Sequence, residues 1–163
     1  MKKFLFALLP LFSFAQNMPN YWQQEVRYQM DINFDSDKHQ FTGVQKLIYT
    51  NNSPDTLKQV FYHLFFNAFQ PGSMMDERSR ALPDPDRLAG YKAKEIGYHN
   101  INSLTQNGNA VSYEVRQTVL QGLLADPILP GGKAEFEMNF NSQVPLQTRR
   151  SGRDNAEGID YTM

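Results

Sequence analysis

The chain of 163 residues contains no cysteine, so disulfide bonds cannot stabilise it. Small secreted animal domains usually depend on disulfides, whereas a bacterial domain of this size can rely on its hydrophobic core. Basic residues do not outnumber acidic ones, and the formal net charge is −1. Because nucleic-acid binding normally requires a basic surface, this composition argues against a nucleic-acid partner.

Long apolar runs are also absent, except at the amino terminus. There, two lysines precede an apolar stretch that ends at Phe12 and a small-x-small cleavage site that ends at Ala15. These features are typical of a secretory signal peptide. We therefore predict that residues 1–15 are a signal peptide and that residues 16–163 form one exported domain, in the bacterial periplasm or outside the cell. No membrane partner is expected after cleavage, because no other stretch approaches the roughly 20 apolar residues of a spanning helix.

The common catalytic motifs are missing as well. The sequence has no cysteine nucleophile, no phosphate-binding glycine loop and no Gly-x-Ser-x-Gly motif. His39, His63 and His99 are far apart, and none has a second histidine at the spacing that places two metal ligands on one helix face. We expect structural roles for them. His63, within an aromatic segment, is predicted to be a hydrogen-bonded core imidazole.

The clearest positive feature is a strict alternation in the segment Val26-Arg27-Tyr28-Gln29-Met30-Asp31-Ile32-Asn33-Phe34. Every even position is apolar and every odd position is polar. This period of two predicts a strand with one face on a core and the other in water, as in antiparallel sheets. A turn at Asp35-Ser36-Asp37-Lys38 and a second strand over Gln40–Thr50 then predict a hairpin, with Gly43 as a candidate bulge.

The middle of the chain predicts another strand and a long loop. The segment Asn51-Asn52-Ser53-Pro54-Asp55 is typical of a turn, and a third strand begins at Leu57. Residues 60–66 are continuously apolar or aromatic, which predicts a central strand covered on both faces. Between Gln70 and Glu95 this pattern fails, so we expect a long loop, in which Ser73-Met74-Met75-Asp76 could begin a short helix.

The remaining residues predict further hairpins. Four more strands are expected, at residues 97–104, 111–115, 118–124 and 133–141. Asn107-Gly108 provides a strong hairpin turn between the first two, and Asp126-Pro127 with Pro130-Gly131-Gly132 separates the last two. The sequence therefore predicts an all-β fold, an antiparallel β-sandwich or saddle-like β-domain of seven or eight strands with one long loop.

Two charged segments are further candidate sites. Asp76, Glu77, Asp84 and Asp86 could offer oxygen ligands to calcium, but a calcium site requires several of them to converge on one point. The run Arg149-Arg150-Ser151-Gly152-Arg153-Asp154 could bind a carboxylate or phosphate, or meet an acidic surface on a neighbouring domain. Both segments could equally be solvated loops.

Four blocks of residues carry a resemblance to a known family. They resemble the amino-terminal region of secreted bacterial aminopeptidase N family zinc metallopeptidases, over about residues 21 to 163. The blocks are Ser53-Pro54-Asp55-Thr56-Leu57, Tyr62-His63-Leu64, Asn67-Ala68-Phe69 and Arg149-Arg150-Ser151-Gly152-Arg153-Asp154. The resemblance implies a saddle-shaped β-domain that precedes a thermolysin-like catalytic domain. Gly158-Ile159-Asp160-Tyr161-Thr162-Met163 has the pattern of a beginning strand, so we expect the polypeptide to continue.

The resemblance assigns no catalytic, cofactor-binding or metal-binding residue to this chain. In the family, His-Glu-x-x-His and a downstream Glu bind zinc, and a Gly-x-Met-Glu-Asn loop holds the substrate amine. Neither motif occurs here. Glu137-Met138-Asn139 has a different order and lies in a predicted strand. Zinc is therefore expected in the missing catalytic domain, and the residue that the β-domain lends to the amine pocket is expected just beyond Met163.

The function implied by this resemblance is that of a non-catalytic domain. It would help to wall the substrate cleft of a zinc-dependent aminopeptidase and would be inactive alone. Its partners would be the downstream catalytic domain and, in the full-length protein, a peptide substrate. The alternative is an independent exported β-sandwich that binds a carbohydrate or an anionic ligand. An open sheet edge or an exposed apolar face would favour the first interpretation.

Overall fold

The structure of the protein, a computed structural model, describes residues 21–82, 88–146, 152–154 and 159–161. The predicted signal peptide, residues 1–15, lies outside the described residues. The elements in chain order are β1 (Glu25–Asp35), β2 (Gln40–Thr50), β3 (Leu57–His63), a 3-10 helix (Phe65–Ala68), α1 (Met74–Ala81), β4 (Tyr98–Gln106), β5 (Asn109–Ala110), β6 (Ser112–Arg116), β7 (Val119–Ile128), β8 (Lys133–Gln143), β9 (Gly152–Asp154) and β10 (Ile159–Tyr161).

Eight of these strands form two antiparallel sheets. The larger sheet has the order β1-β2-β8-β4-β5, and the smaller sheet has the order β3-β7-β6. The short strands β9 and β10 pair with each other. The predicted all-β antiparallel sandwich of seven or eight strands is thus confirmed, with eight strands in the two sheets.

The hairpin connections follow the predicted turn residues, with one difference. Asn107 and Gly108 have φ angles of 49° and 83°, the left-handed conformations that a two-residue hairpin turn requires. The strand predicted to end at residue 124 instead continues as β7 to Ile128. The buried Gln106 side chain accounts for this, because its amide donates to the Asp126 carbonyl (2.7 Å) and its oxygen accepts from the Asp126 N–H (3.1 Å). These bonds hold the backbone extended up to Pro127.

The hydrophobic core lies where the smaller sheet packs against strands β2, β8 and β4. Phe136 and Leu47 point inward from the larger sheet, and Leu120 meets them from β7. All three are almost completely buried, and each fully buried apolar side chain of this size contributes about 1.5–3 kcal/mol. The core therefore joins three strands of the larger sheet to the smaller sheet.

Strand β1 forms as the alternation predicts, but its apolar face does not lie against the core. It pairs with β2 over its whole length without a register shift. Its five apolar side chains remain 40–57% exposed, namely Val26, Tyr28, Met30, Ile32 and Phe34. The three strands of the smaller sheet cannot cover all five strands of the larger one, and β1, at the edge of the larger sheet, remains uncovered. The prediction of a buried face was therefore wrong.

Strand β3 also differs from its prediction. It was expected in a central position with both faces covered, but it lies at the edge of the smaller sheet and pairs with β7 alone. Val60 and Tyr62 face the core, whereas Phe61 is 59% exposed. The apolar and aromatic residues of this run therefore alternate between the core and an outward face that nothing described covers.

Gly43 is not the predicted bulge, because β2 keeps an unbroken register with both neighbouring strands. The described register shifts lie in β4, between Ile101 and Ser103, and in β3. The reason for glycine is close approach. A Cβ atom at position 43 would lie 2.5 Å from Cζ of Phe140 and 2.6 Å from Cδ1 of Ile32. These two side chains fill the space above the glycine.

The predicted short helix is confirmed as α1. Its N-cap is Ser73, whose hydroxyl accepts a hydrogen bond from the Asp76 N–H (3.2 Å). Asp76 and Glu77 place negative charge in the first turn, where it stabilises the helix dipole. In the part of the chain that the structure describes, neither helix is long and apolar enough to cross a bilayer.

Asn51 joins the two sheets at the predicted turn after β2. The residue is fully buried, and its Nδ2 donates to the carbonyls of Asp55 (2.7 Å) and Ile128 (3.0 Å). Its Oδ1 accepts from the hydroxyl of Ser53 (2.6 Å) and from Gln24 (3.1 Å). The main-chain N–H of Asn51 donates to a carbonyl in the turn before β8. One side chain thus links the end of β2 with the start of β3 and the end of β7.

We predict that Asn51→Leu lowers the free energy of unfolding by about 3 kcal/mol or more, because two carbonyls and a hydroxyl would lose their partner in a buried place. Chemical denaturation of the purified chain measures this. Asn52→Ala is the matched control, since Asn52 is exposed and makes one side-chain bond to the Gln23 carbonyl. Equal effects of the two substitutions would contradict the central role of Asn51.

A second prediction concerns Gly43. Gly43→Val should destabilise the protein by about 1–3 kcal/mol, because the added methyl groups would overlap Phe140 and Ile32. Thr42→Val, at the adjacent exposed position of the same strand, should change the free energy of unfolding by less than about 0.5 kcal/mol. Urea unfolding curves of both variants provide the comparison, and a stable Gly43→Val variant would rule out the close-approach explanation.

Candidate functional site

An open groove of about 660 Å³ lies between the inner face of the larger sheet and the end of β3. Most of its lining is apolar, and two histidines and an aspartate are also among the lining residues. Its lining residues are Met30, Ile32, Phe34, Phe41, Gln45, Tyr62, His63, Leu64, His99, Ile101, Met138, Phe140, Val144 and Asp160.

The groove exists because β1 extends past the cover that the smaller sheet provides. The cross-strand neighbours of its apolar residues on β2 are all on the same inward face; for example, Phe34 is paired with Phe41 and Ile32 with Gly43. Phe41 in turn contacts Phe140 edge-on, with ring centroids 6.2 Å apart. The result is a continuous apolar surface with one open side. Surfaces of this kind are typical of interfaces and ligand grooves.

Two buried polar groups beside the groove lack partners in the described structure. They are Nε2 of Gln45 and the hydroxyl of Tyr62, and both residues line the groove. Burial, with a smaller contribution from nearby Tyr28, raises the pKa of Tyr62, so its hydroxyl stays protonated as a donor. Buried donors without acceptors reduce stability by about 1–3 kcal/mol each. Acceptors supplied by a molecule or domain in the groove would remove that penalty.

His99 forms the aromatic end of the groove. Its ring stacks on Phe66 with centroids 4.6 Å apart and an interplanar angle of 7°, and it meets Phe41 edge-on. Its Nδ1 is hydrogen-bonded to the hydroxyl of Ser142 at 2.6 Å. Burial lowers the pKa of His99 to about 4, so the ring is neutral at neutral pH. The carboxylate of Glu95, four residues before His99 in the sequence, accepts a hydrogen bond from the main-chain N–H of Lys92.

His39 connects the first hairpin to the ribbon of β9 and β10. It lies in the turn before β2 with a φ angle of 55°, a left-handed conformation. Its Nδ1 is 2.9 Å from both carboxylate oxygens of Asp160. This contact places Asp160 at the margin of the groove.

His63 is not the core imidazole that its neighbours predicted. It is exposed at the end of β3 and stacks on the exposed ring of Phe65, with centroids 5.3 Å apart. The three histidines have separate partners, and the described residues contain no cluster of three potential metal ligands. A zinc ion therefore does not fit any site that these residues form. The expectation of structural roles agrees with the packing of His39 and His99.

The acidic residues proposed for calcium do not form a site in the described part of the chain. Asp76 is fully buried, and its carboxylate accepts from the Gly72 N–H (2.7 Å) and from Arg80 (2.6 Å). It is thus used to stabilise α1. Asp84 and Asp86 lie outside the described residues, so calcium binding there remains untested.

The arginine run is described only in part. Arg149, Arg150 and Ser151 lie outside the described residues. Arg153 is half-buried; its main-chain N–H donates to the Pro145 carbonyl (3.0 Å), and its guanidinium donates to the Lys94 carbonyl. This part of the run therefore attaches β9 to the rest of the protein. Anion binding and contact with a neighbouring domain remain predictions.

Sequence reasoning missed the three polar groups that mark the groove: Gln45, Tyr62 and Asp160. The sequence shows Gln45 as one polar residue among the inward positions of β2, between Gly43 and Leu47. That pattern could have identified an unusual inward amide. The link between Asp160 and His39 spans 121 residues, and no local pattern predicts it.

Comparison with solved structures gives a clear likeness of fold. The chain resembles a two-domain M1 zinc metallopeptidase variant bound to L-arginine, with a TM-score of 0.53 and 13% sequence identity, over 85% of this chain and 26% of that protein. An M1 zinc metallopeptidase from Deinococcus radiodurans gives a TM-score of 0.49 and 11% identity, over 78% of this chain and 23% of that protein.

At these identities the likeness concerns the fold alone. The chain spans about a quarter of the length of the metallopeptidases that it resembles. The sequence matches no protein-family model, and it matches none of the curated proteins.

A third prediction follows from the burial of His99. Because the folded state lowers its pKa to about 4, the unfolded chain binds a proton near pH 6.5 and the folded chain does not. This contribution to stability is therefore lost as the pH falls from about 6.5 to 4, by about 3 kcal/mol. Measuring unfolding free energy against pH should show a smaller loss in His99→Asn than in the wild type. His63→Asn, at an exposed histidine, is the matched control for replacing a histidine by asparagine.

Proposed function

We propose that this chain is the non-catalytic amino-terminal β-domain of an exported zinc-dependent aminopeptidase. In that protein it packs against a catalytic domain of the same polypeptide and helps to wall the cleft in which the amino end of a peptide reaches the metal. The zinc belongs to the catalytic domain, and the domain described above performs no chemistry alone.

The fold supports this proposal. The described strands have the arrangement found in part of a two-domain M1 zinc metallopeptidase, and the chain corresponds to 26% of that protein. A segment of that size agrees with one domain of a larger enzyme. The blocks of residues around Ser53, Tyr62, Asn67 and Arg149 suggested the same family from the sequence.

The observation that carries the proposal is the uncovered apolar surface of the groove. Met30, Ile32 and Phe34 of β1 line the groove and remain about half exposed, next to two buried donors that have no acceptor among the described residues. Val26 and Tyr28 continue the exposed apolar face along the strand. An isolated binding protein would have to keep this surface in water. A second domain of the same polypeptide would bury it, as the apolar centre of a domain interface requires.

The histidines fit the non-catalytic part of the proposal. Each described histidine has a separate structural or exposed environment, and among the described residues no group of three metal-ligating side chains forms. In the proposed enzyme, the zinc ligands would belong to the catalytic domain. The contribution of the β-domain would be shape and support of the cleft.

A fourth prediction tests docking in the complete polypeptide that the gene encodes. Met30→Glu should weaken the packing of the β-domain by about 2 kcal/mol, because it places a charge on the surface that the catalytic domain would bury. Ile48→Glu is the matched control. Ile48 is 43% exposed and Met30 49%, but Ile48 lies on the opposite face of the sheet. Thermal unfolding and limited proteolysis measure the effect.

In this chain alone, both substitutions should be nearly neutral, since both side chains are already exposed. The complete polypeptide should contain zinc and hydrolyse aminoacyl amides, and a chelator should abolish that activity. The chain alone should do neither. A gene without a downstream His-Glu-x-x-His motif, or equal effects of the two substitutions, would refute the proposal. Binding of a carbohydrate or an anion in the groove would then be the function to examine.

A further inference from the structure

The free edge of β1 presents a complete set of backbone groups. Two hydrogen bonds between β2 and β8 show which residues direct their backbone groups towards the free edge. The N–H of Val144 donates to the His39 carbonyl, and the N–H of Asn51 donates to the Gly132 carbonyl. Odd-numbered residues of β2 therefore bond to β8, and even-numbered ones bond to β1. In the register of this hairpin, the even residues of β2 pair with the odd residues of β1, so the backbone groups of these odd residues bond to β2. Its even residues direct their N–H and C=O groups away from the sheet.

Apart from its charged side chains, this edge lacks the features that usually protect an exposed strand. β1 has eleven residues in unbroken register with β2 and contains no proline, glycine or lysine. At the other end of the same sheet, β5 has only two residues, and the edge strand β3 contains a register shift. Among the described residues, no strand pairs with the outer edge of β1.

The charges on β1 are arranged for antiparallel pairing with an identical strand. We propose that two copies of this chain associate through their β1 edges, with Gln29 facing Gln29 of the second copy. Arg27 then lies opposite Asp31 of the second copy, and this pair occurs twice. On the inward face, Val26 meets Ile32 and Tyr28 meets Met30, so the two apolar stripes become continuous. The even residues exchange the backbone bonds, as their outward direction requires.

Electrostatics select this register over its neighbours. A register centred on Tyr28 places Glu25 opposite Asp31, and one centred on Met30 places Glu25 opposite Asp35. Like charges directly opposite each other destabilise a strand pair. In the register centred on Gln29, Glu25 faces the neutral Asn33. Opposite-charge pairs such as the two Arg27–Asp31 contacts stabilise strand pairing.

Neither charge has an opposite charge directly across from it within its own sheet. On β2, Arg27 lies opposite Ile48 and Asp31 opposite Val44. The described partner of Arg27 is Glu25, two residues along the same strand at 3.0 Å and exposed to solvent. The second copy would therefore place an opposite charge directly across from Arg27 and from Asp31. The self-association joins the edges of β1 and brings the margins of the two inward faces together, whereas the proposed domain contact covers the inward face itself. Arg27 and Asp31 lie on the opposite face from Met30, so charge reversals at these two positions test self-association separately from domain docking.

The first test is sedimentation equilibrium of residues 16–163, the chain without its predicted signal peptide, which should show a reversible dimer. Arg27→Asp should weaken the dimer by about tenfold, because each of the two Arg–Asp contacts becomes an Asp–Asp contact. The double variant Arg27→Asp/Asp31→Arg should recover most of the affinity, since it restores both pairs with reversed charges. Lys58→Asp, a charge reversal on exposed β3, is the control and should leave the affinity unchanged. Circular dichroism confirms that each variant is folded.

Single cysteines test the register directly, because the chain has none of its own. Gln29 would face itself in a pair without backbone bonds, with Cα atoms about 4.5 Å apart, which is within the range of a disulfide. Gln29→Cys should therefore form a disulfide-linked dimer under mild oxidation. In Asn33→Cys the two sulfurs would be about 27 Å apart, and that variant should remain unlinked.

A chain that stays monomeric at high concentration would overturn the proposal. A dimer that is insensitive to Arg27→Asp, or that forms disulfides equally at positions 29 and 33, would also overturn it by indicating another interface. These measurements involve neither zinc nor peptide hydrolysis. Absence of the dimer therefore leaves the proposed function unaffected. Failure of the proposed function likewise leaves the dimer proposal unaffected.

Discussion

The buried amide of Asn51 is the contact on which the arrangement of the two sheets depends. Sheets in a sandwich have few backbone bonds between them, and their relative position usually depends on packing alone. Here one side chain satisfies carbonyls at the beginning of β3 and at the end of β7, while its own backbone ends β2. The smaller sheet is thereby fixed over β2, β8 and β4. That placement decides which strand of the larger sheet remains uncovered.

The unequal sizes of the two sheets explain most of the surface chemistry. Three strands cover the centre of a five-stranded sheet, and β5 is too short to need cover. The uncovered apolar side chains of the larger sheet's inward face therefore lie on β1, where five in a row remain about half exposed. The groove, the buried donors of Gln45 and Tyr62, and the open strand edge all lie at this one side of the molecule. It is the side at which interactions with other domains or chains are expected.

The strands were predictable from the sequence, but the cover of their faces was not. Alternation gave β1 and β2 nearly residue by residue, the Asn-Gly pair gave the turn between β4 and β5, and Ser73 gave the start of α1. Periodicity reports that one face of β1 is apolar, not whether another sheet covers it. The same limit explains β3, where an aromatic run suggested a central strand. The groove depends on contacts between residues far apart in sequence, such as His39 with Asp160, which local patterns do not encode.

The position of β2 has a consequence for the order of folding. β2 lies between a neighbour that immediately precedes it in the chain and one that follows much later, since Thr50 pairs with Lys133 and Gln40 with Gln143. At a synthesis rate of about 5–20 residues per second, the first hairpin emerges roughly 5 to 20 seconds before β8 is available. During that time both of its edges and its apolar face are open to water. A nascent chain of this kind is a natural client for chaperones that bind extended apolar segments, and its slow step is expected to be the late insertion of β8.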